Sequence, residues 1–116
     1  MHIVGTFDLK SVNSFGMMVR HSKKKNGTEI RYDATKHRLT CLGQTVVVKP
    51  EDGKVKLELL IDRTSLEIFA NDGKEVMSIC YTAEQDMDEL VLYNTGGELY
   101  VEKLDVYPLK SMYEEE

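Results

Sequence analysis

Val55-Lys56-Leu57-Glu58-Leu59-Leu60-Ile61 is followed, after Asp62-Arg63-Thr64, by Ser65-Leu66-Glu67-Ile68-Phe69-Ala70 and then by Asn71-Asp72-Gly73. Val55, Leu57, Leu59 and Ile61 recur at every second position, with Lys54, Lys56, Glu58 and Asp62 in the other phase. That is the period of a strand with one buried face. Leu66, Ile68 and Ala70 continue it, with Phe69 expected as a further filler of the sandwich faces. Asn71-Asp72-Gly73 supplies residues that tolerate positive φ, so a tight hairpin is predicted there.

The same period extends outward on both sides. Upstream, Ile3, Gly5, Phe7 and Leu9 share one phase, then Phe15, Met17 and Val19, then Ile30 and Tyr32 after an Asn26-Gly27 turn. Leu39-Thr40-Cys41 and Val46-Val47-Val48 read as two further short strands, the second stopped by Pro50 and a Glu51-Asp52-Gly53 turn. Downstream, Met77, Ile79 and Tyr81 share a face, Leu90 to Tyr93 leads into Thr95-Gly96-Gly97, and Leu99 to Tyr107 closes the pattern. The apolar phase slips between Val101 and Leu104, which predicts a β-bulge. Only residues 82–89 lack the period, and they read as an acidic loop or a single helical turn. About nine or ten short strands argue for an all-β, antiparallel two-sheet β-sandwich of the concanavalin or jelly-roll kind. The expected organisation is one domain over residues 1–113 and an acidic tail at Glu114-Glu115-Glu116.

Composition agrees with a folded, water-facing domain. Of 116 residues, 41% are hydrophobic and 30% charged, with a formal net charge of −5. No apolar run approaches the roughly 18–20 residues that span a bilayer, so a membrane helix is excluded. The opening Met1-His2-Ile3-Val4-Gly5 runs directly into strand-like sequence, so no secretory or transit segment is expected there, which leaves export open. Charge is uneven, +6 over residues 1–50 and −11 over residues 51–116. The densest basic run, Lys23-Lys24-Lys25, abuts the expected hairpin turn and has no aromatics interleaved for stacking bases, so nucleic acid is not an expected partner. Cys41 and Cys80 both lie in apolar runs and are expected as two buried thiols, one disulfide or a reactive thiol being the alternatives.

Candidate chemistry is sparse. Asp62 and Glu67 flank Arg63-Thr64-Ser65, and paired carboxylates about 5–9 Å apart are the machinery of glycoside hydrolysis. Odd spacing along a strand sets them on opposite faces, and an Asp before Thr-Ser is more simply the acceptor of a turn, with Glu67 paired to a neighbouring base. His2, His21 and His37 lack metal-ligand spacing, so neither metal nor cofactor is expected. Ser65 and Ser78 are not flanked by the glycines of a nucleophile elbow. Asn26-Gly27-Thr28 fits a glycosylation acceptor, but the hairpin explains it with less.

The stretch from Val55 to Gly73 resembles the signature of the C-terminal β-sandwich module of glycoside hydrolase family 32, which contains invertases, levanases and inulinases. Phe15-Gly16 through Val19-Arg20, Tyr32-Asp33 before Leu39, and Val106 through Tyr113 are similar in the same order. The resemblance implies a sandwich packed beside a five-bladed β-propeller that carries the catalysis. It identifies Asp62, Arg63, Ser65, Glu67, Phe69, Asn71, Asp72 and Gly73 as a structural motif. The family's catalytic motifs (a nucleophilic Asp in Trp-Met-Asn-Asp-Pro-Asn-Gly, a stabilising Asp in Arg-Asp-Pro, an acid Glu in Glu-Cys) have no counterpart here. The chain has no Trp and two prolines, after Lys49 and Tyr107, and Asp62-Arg63 only reverses part of the second motif. Departures from many relatives are the short connection from Cys41 to Val55 and Tyr113, where others place an aromatic that is often Trp.

The resemblance therefore implies a non-catalytic module that steadies the propeller of a fructan- or sucrose-splitting parent, secreted or periplasmic by family habit. Two alternatives belong to other classes. One is an autonomous fructan-binding module using Tyr93, Tyr100, Tyr107 and Tyr113 as sugar contacts. The other is an oligomerisation module, acting through self-association of the sandwich.

Overall fold

The computed structural model describes residues 1–20, 27–62, 64–80 and 89–107. Each segment with a two-residue apolar period is a strand. In chain order they are β1 (His2–Asp8), β2 (Ser14–Arg20), β3 (Thr28–Asp33), β4 (Arg38–Cys41) and β5 (Gln44–Val47). The remainder are β6 (Lys54–Ile61), β7 (Ser65–Ala70), β8 (Glu75–Cys80), β9 (Glu89–Thr95) and β10 (Tyr100–Tyr107). No helix occurs among the described residues.

Two five-stranded antiparallel sheets result, one ordered β10-β1-β6-β7-β8 and the other β5-β4-β3-β2-β9. The chain enters the first sheet with β1, builds most of the second, returns for β6 to β8, and crosses twice more. Strict alternation in β1, β6 and β7 aims one phase of each strand between the sheets. Ile3, Phe7, Val55, Leu57, Leu59, Ile61, Leu66, Ile68 and Ala70 from the first sheet meet Phe15, Met17, Val19, Ile30, Tyr32, Leu39 and Cys41 from the second. Phe7 stacks on Phe15 with centroids 4.5 Å apart, and Phe15 meets Tyr32 at 5.7 Å. These rings join the two sheets toward one end of their strands, in the stacked and tilted geometries that aromatic quadrupoles favour. The Tyr32 hydroxyl, fully buried, donates to the Val48 carbonyl at 2.6 Å. Burial, with the nearby Asp33 charge, pushes its pKa up to about 12.

The slip in the last strand is a bulge. Thr6 pairs with Lys103 and Phe7 with Val101, which leaves Glu102 as the extra residue. Val101 and Leu104 thereby face the same way despite their odd spacing. The β4–β5 connection is tighter than the sequence suggested. Cys41 pairs with Gln44, and Leu42 (φ 47°) and Gly43 (φ 82°) form a two-residue turn with both central φ positive. Asn or Asp is the usual first residue of such a turn. Here Leu42 holds that place, 50% exposed.

Three expectations need correction. Cys41 is buried but Cys80 is exposed, and both are free thiols. Met77 and Ile79 take the inward phase of β8, so Cys80 is turned outward at the strand end. Phe69 does not fill the space between the sheets, because Ile68 and Ala70 occupy that phase. It lies half-buried on the outer face between Glu58 and Val76. Glu89 belongs to β9 rather than to the preceding acidic segment, residues 82–88 of which lie outside the described residues, as do Tyr81 and the Lys23–Asn26 run.

Candidate functional site

Asp62, Ser65, Asn71, Asp72 and Gly73 of the motif sit at the two reversals that bound β7, and Glu67 and Phe69 lie within the strand. At the first, Asp62 Oδ1 accepts from the backbone N–H of Thr64 (2.8 Å) and of Ser65 (2.7 Å), and from both hydroxyls at 3.2 Å. The Thr64 N–H bond leads a set of hydrogen bonds that hold the Asp62 carboxyl below the usual carboxylate range. A carboxylate whose Oδ1 is committed in this way is a turn acceptor. Glu67 lies on the outer face between Leu60 and Ser78, and among the described residues it forms no ion pair. Arg63 lies outside the described residues.

At the second reversal, Asn71 (φ 52°), Asp72 (φ 61°) and Gly73 (φ 88°) all adopt positive φ. Asn71 is buried to 6% exposure and ties three segments together. Its Oδ1 accepts from the Lys56 N–H at 3.0 Å, its Nδ2 donates to the Lys49 carbonyl at 2.8 Å, and its own N–H donates to the Lys56 carbonyl at 2.8 Å. Asp72 receives Lys56 Nζ at 2.7 Å. Beside this turn a cleft of about 550 Å³ opens where the sheets part, walled by Val46, Val47, Pro50 and Asn71, with the Lys74–Glu51 ion pair at its side.

The tyrosines do not assemble. Tyr93 lies on the outer face of the second sheet, half-buried, whereas Tyr100 and Tyr107 lie at the two ends of β10 in the first sheet. Seven residue steps of strand separate that pair by about 23 Å. Tyr100 and Tyr107 are each about half exposed, at 48% and 51%. Tyr107 has His2 beside it, ring centroids 5.6 Å apart, and His2 Nε2 bonds Glu58 Oε2 at 2.7 Å. Tyr113 lies outside the described residues.

Two features escaped the sequence reading. The first is an open edge. Val101 and Val106 pair with the inward-facing Phe7 and Ile3, yet they remain 38% and 41% exposed. The second is a polar row on the outer face of the second sheet, built around Arg31 and Gly16. Only strand register brings its members together, so no sequence spacing announces it. Among the described residues there is no cluster of three His, Cys, Asp or Glu side chains able to hold a metal ion.

Residues 1–108 match the family described as glycosyl hydrolases family 32 C terminal. The levanase of Bacillus subtilis (strain 168) is 39% identical over 70 residues, which are 60% of this chain and 10% of the levanase. Among solved structures, the exo-inulinase of Aspergillus awamori superposes with a TM-score of 0.73 at 21% identity, over 89% of this chain and 23% of that one. The β-fructofuranosidase of Schwanniomyces occidentalis gives 0.66 at 13% identity, over 89% and 27%. At those identities the two structures speak for the fold alone. The chain thus spans about a tenth of the curated levanase that it matches. With two antiparallel sheets in place and the family match running through β10, the chain belongs to the C-terminal β-sandwich domains of glycoside hydrolase family 32.

Proposed function

We propose that this module is the non-catalytic scaffold of a longer glycoside hydrolase acting on levan, inulin or sucrose, and that it packs on and stabilises the catalytic β-propeller of that parent. Family membership and the levanase similarity support the kind of parent. The observation that carries the scaffold role is the open edge of the first sheet. Val101 and Val106, aimed between the sheets, are more than a third exposed, and the half-exposed Tyr107 adjoins them. Apolar side chains left open along one edge favour a covering surface. Contacts between domains of one chain typically bury roughly 600–1,500 Å².

The test compares the intact parent with a form lacking this module, by thermal unfolding of the catalytic domain. Deletion lowers its midpoint by several degrees. Val101→Asp with Val106→Asp in the intact parent does the same, whereas Val76→Asp, on the opposite edge of the sheet, does not. An unchanged catalytic-domain midpoint in both the deletion and the double variant refutes the role.

A further inference from the structure

The outer face of the second sheet presents a row of polar and aromatic side chains brought together by strand register. Register aligns Thr45, Thr40, Arg31, Gly16 and Tyr93 across β5, β4, β3, β2 and β9. Four strand spacings make that row about 19 Å long. Gly16 is its bare point, and a Cβ there would lie 2.3 Å from the Tyr93 oxygen and 2.4 Å from its Cζ. The Tyr93 ring therefore lies over naked backbone, and its hydroxyl is anchored to the Glu29 carboxylate on β3. One ring face rests on the sheet and the other faces outward, a fixed aromatic shelf.

Next to the shelf are two uncommitted cations. Arg31 and Arg38, diagonal neighbours on β3 and β4, are exposed and, among the described residues, form no ion pair or side-chain hydrogen bond. Asp33 lies opposite Arg38 but is engaged by Thr35 and Lys36, whose backbone N–H groups reach its Oδ1 at 2.9 and 3.2 Å. The Thr40 and Thr45 hydroxyls, 3.1 Å apart, complete the polar end of the row.

An occupant must match both halves. The shelf favours a ligand with a face of C–H groups, and the guanidinium forks and hydroxyls favour closely spaced oxygens. A sugar ring offers both on one unit, and an oligosaccharide repeats them along the row. An acidic peptide satisfies the arginines but leaves the shelf unmatched. We infer that the outer face of the second sheet is a glycan-binding face for the fructan chain, holding polymer near the parent's catalytic domain. The choice of fructan rests on the function proposed above; the choice of a glycan rests on the row itself. A nearly flat face buries little of its ligand, so dissociation constants in the millimolar range are expected.

The full 116-residue chain is titrated with levan-derived oligosaccharides, and separately with xylo-oligosaccharides and polyglutamate, following backbone amide shifts by NMR. Saturable shifts centred on Gly16, Arg31, Thr40 and Tyr93 are expected with the fructan. Tyr93→Phe retains them, Tyr93→Leu and Arg31→Gln each weaken binding at least tenfold, and Tyr100→Leu on the other sheet has no effect. If Tyr93→Leu disturbs folding, the exposed pair Arg31→Gln and Arg38→Gln carries the test. No saturable shift, shifts on the first sheet, binding undiminished in these variants, or saturation by polyglutamate instead of glycan overturns the inference. Saturation by xylo-oligosaccharide alone, lost in the same variants, upholds the glycan face and overturns the fructan reading of the parent.

Discussion

Replacing Asn71 by Ala removes a joint that holds β6, the β7–β8 turn and the Lys49 segment together. Two side-chain hydrogen bonds disappear, from the Lys56 N–H at 3.0 Å and to the Lys49 carbonyl at 2.8 Å. Leaving those partly buried groups without a partner costs about 1–2 kcal/mol each. Alanine must also hold φ near 52°, which for a residue with a Cβ and no local polar compensation costs about 1 kcal/mol. The expected loss is about 3–5 kcal/mol, a large fraction of the 5–15 kcal/mol that stabilises a typical domain. For a chain of this size it lowers Tm by about 12–20 °C. Asn71→Gly loses the same two side-chain bonds but holds positive φ without strain, so it loses about 1 kcal/mol less than Asn71→Ala. The chain has no Trp, so urea unfolding is followed by far-UV circular dichroism and tyrosine fluorescence. A loss below 1 kcal/mol for Asn71→Ala, or a loss below 1 kcal/mol for Asn71→Gly, refutes the assignment of this residue as a joint.

Three further outcomes follow from local geometry. Hydrogen bonds hold the Asp62 carboxyl low, the Thr64 N–H first among them, and the Asp33 carboxyl low, the Thr35 hydroxyl first. A depressed folded pKa contributes stability that is complete above the unfolded value near 3.9 and is lost as pH falls through the folded value. Asp62→Asn therefore flattens the acid limb of a stability–pH curve, and an unchanged limb contradicts this. Leu42→Asn relieves positive φ at the β4–β5 turn and removes an exposed apolar side chain, so it stabilises by about 0.5–1 kcal/mol in the same urea assay. Native protein at neutral pH takes up one equivalent of iodoacetamide by mass spectrometry, at the exposed Cys80. Desolvation, with a smaller contribution from Glu29, pushes the buried Cys41 thiol up to about 11 and keeps it unreactive.

The scaffold and glycan readings use different surfaces. The open edge at β10 belongs to the first sheet, and the Tyr93–Arg31 row lies on the outer face of the second. One module is thereby able to dock on a catalytic domain and keep its polar row available to solvent. Substitutions on one surface should leave the other intact, because contacts without shared partners behave independently.

The ten-strand, two-layer architecture was legible in the order of the residues because burial on one side of a strand imposes a period of two. Val55 to Ile61, Leu66 to Ala70 and Phe15 to Val19 each carry that period. Asn71-Asp72-Gly73 and the slip between Val101 and Leu104 were legible too, since positive φ and an inserted bulge residue leave local marks. Phe69 and Cys80 misled because hydrophobicity says that a side chain prefers burial, whereas phase along the strand decides which side it takes. The partners of Asn71, the exposure of Val101 and Val106, and the meeting of Arg31, Gly16 and Tyr93 were decided by tertiary structure alone. Each depends on which strands become neighbours and in what register, and that is set by the packing of the two sheets rather than by any segment on its own.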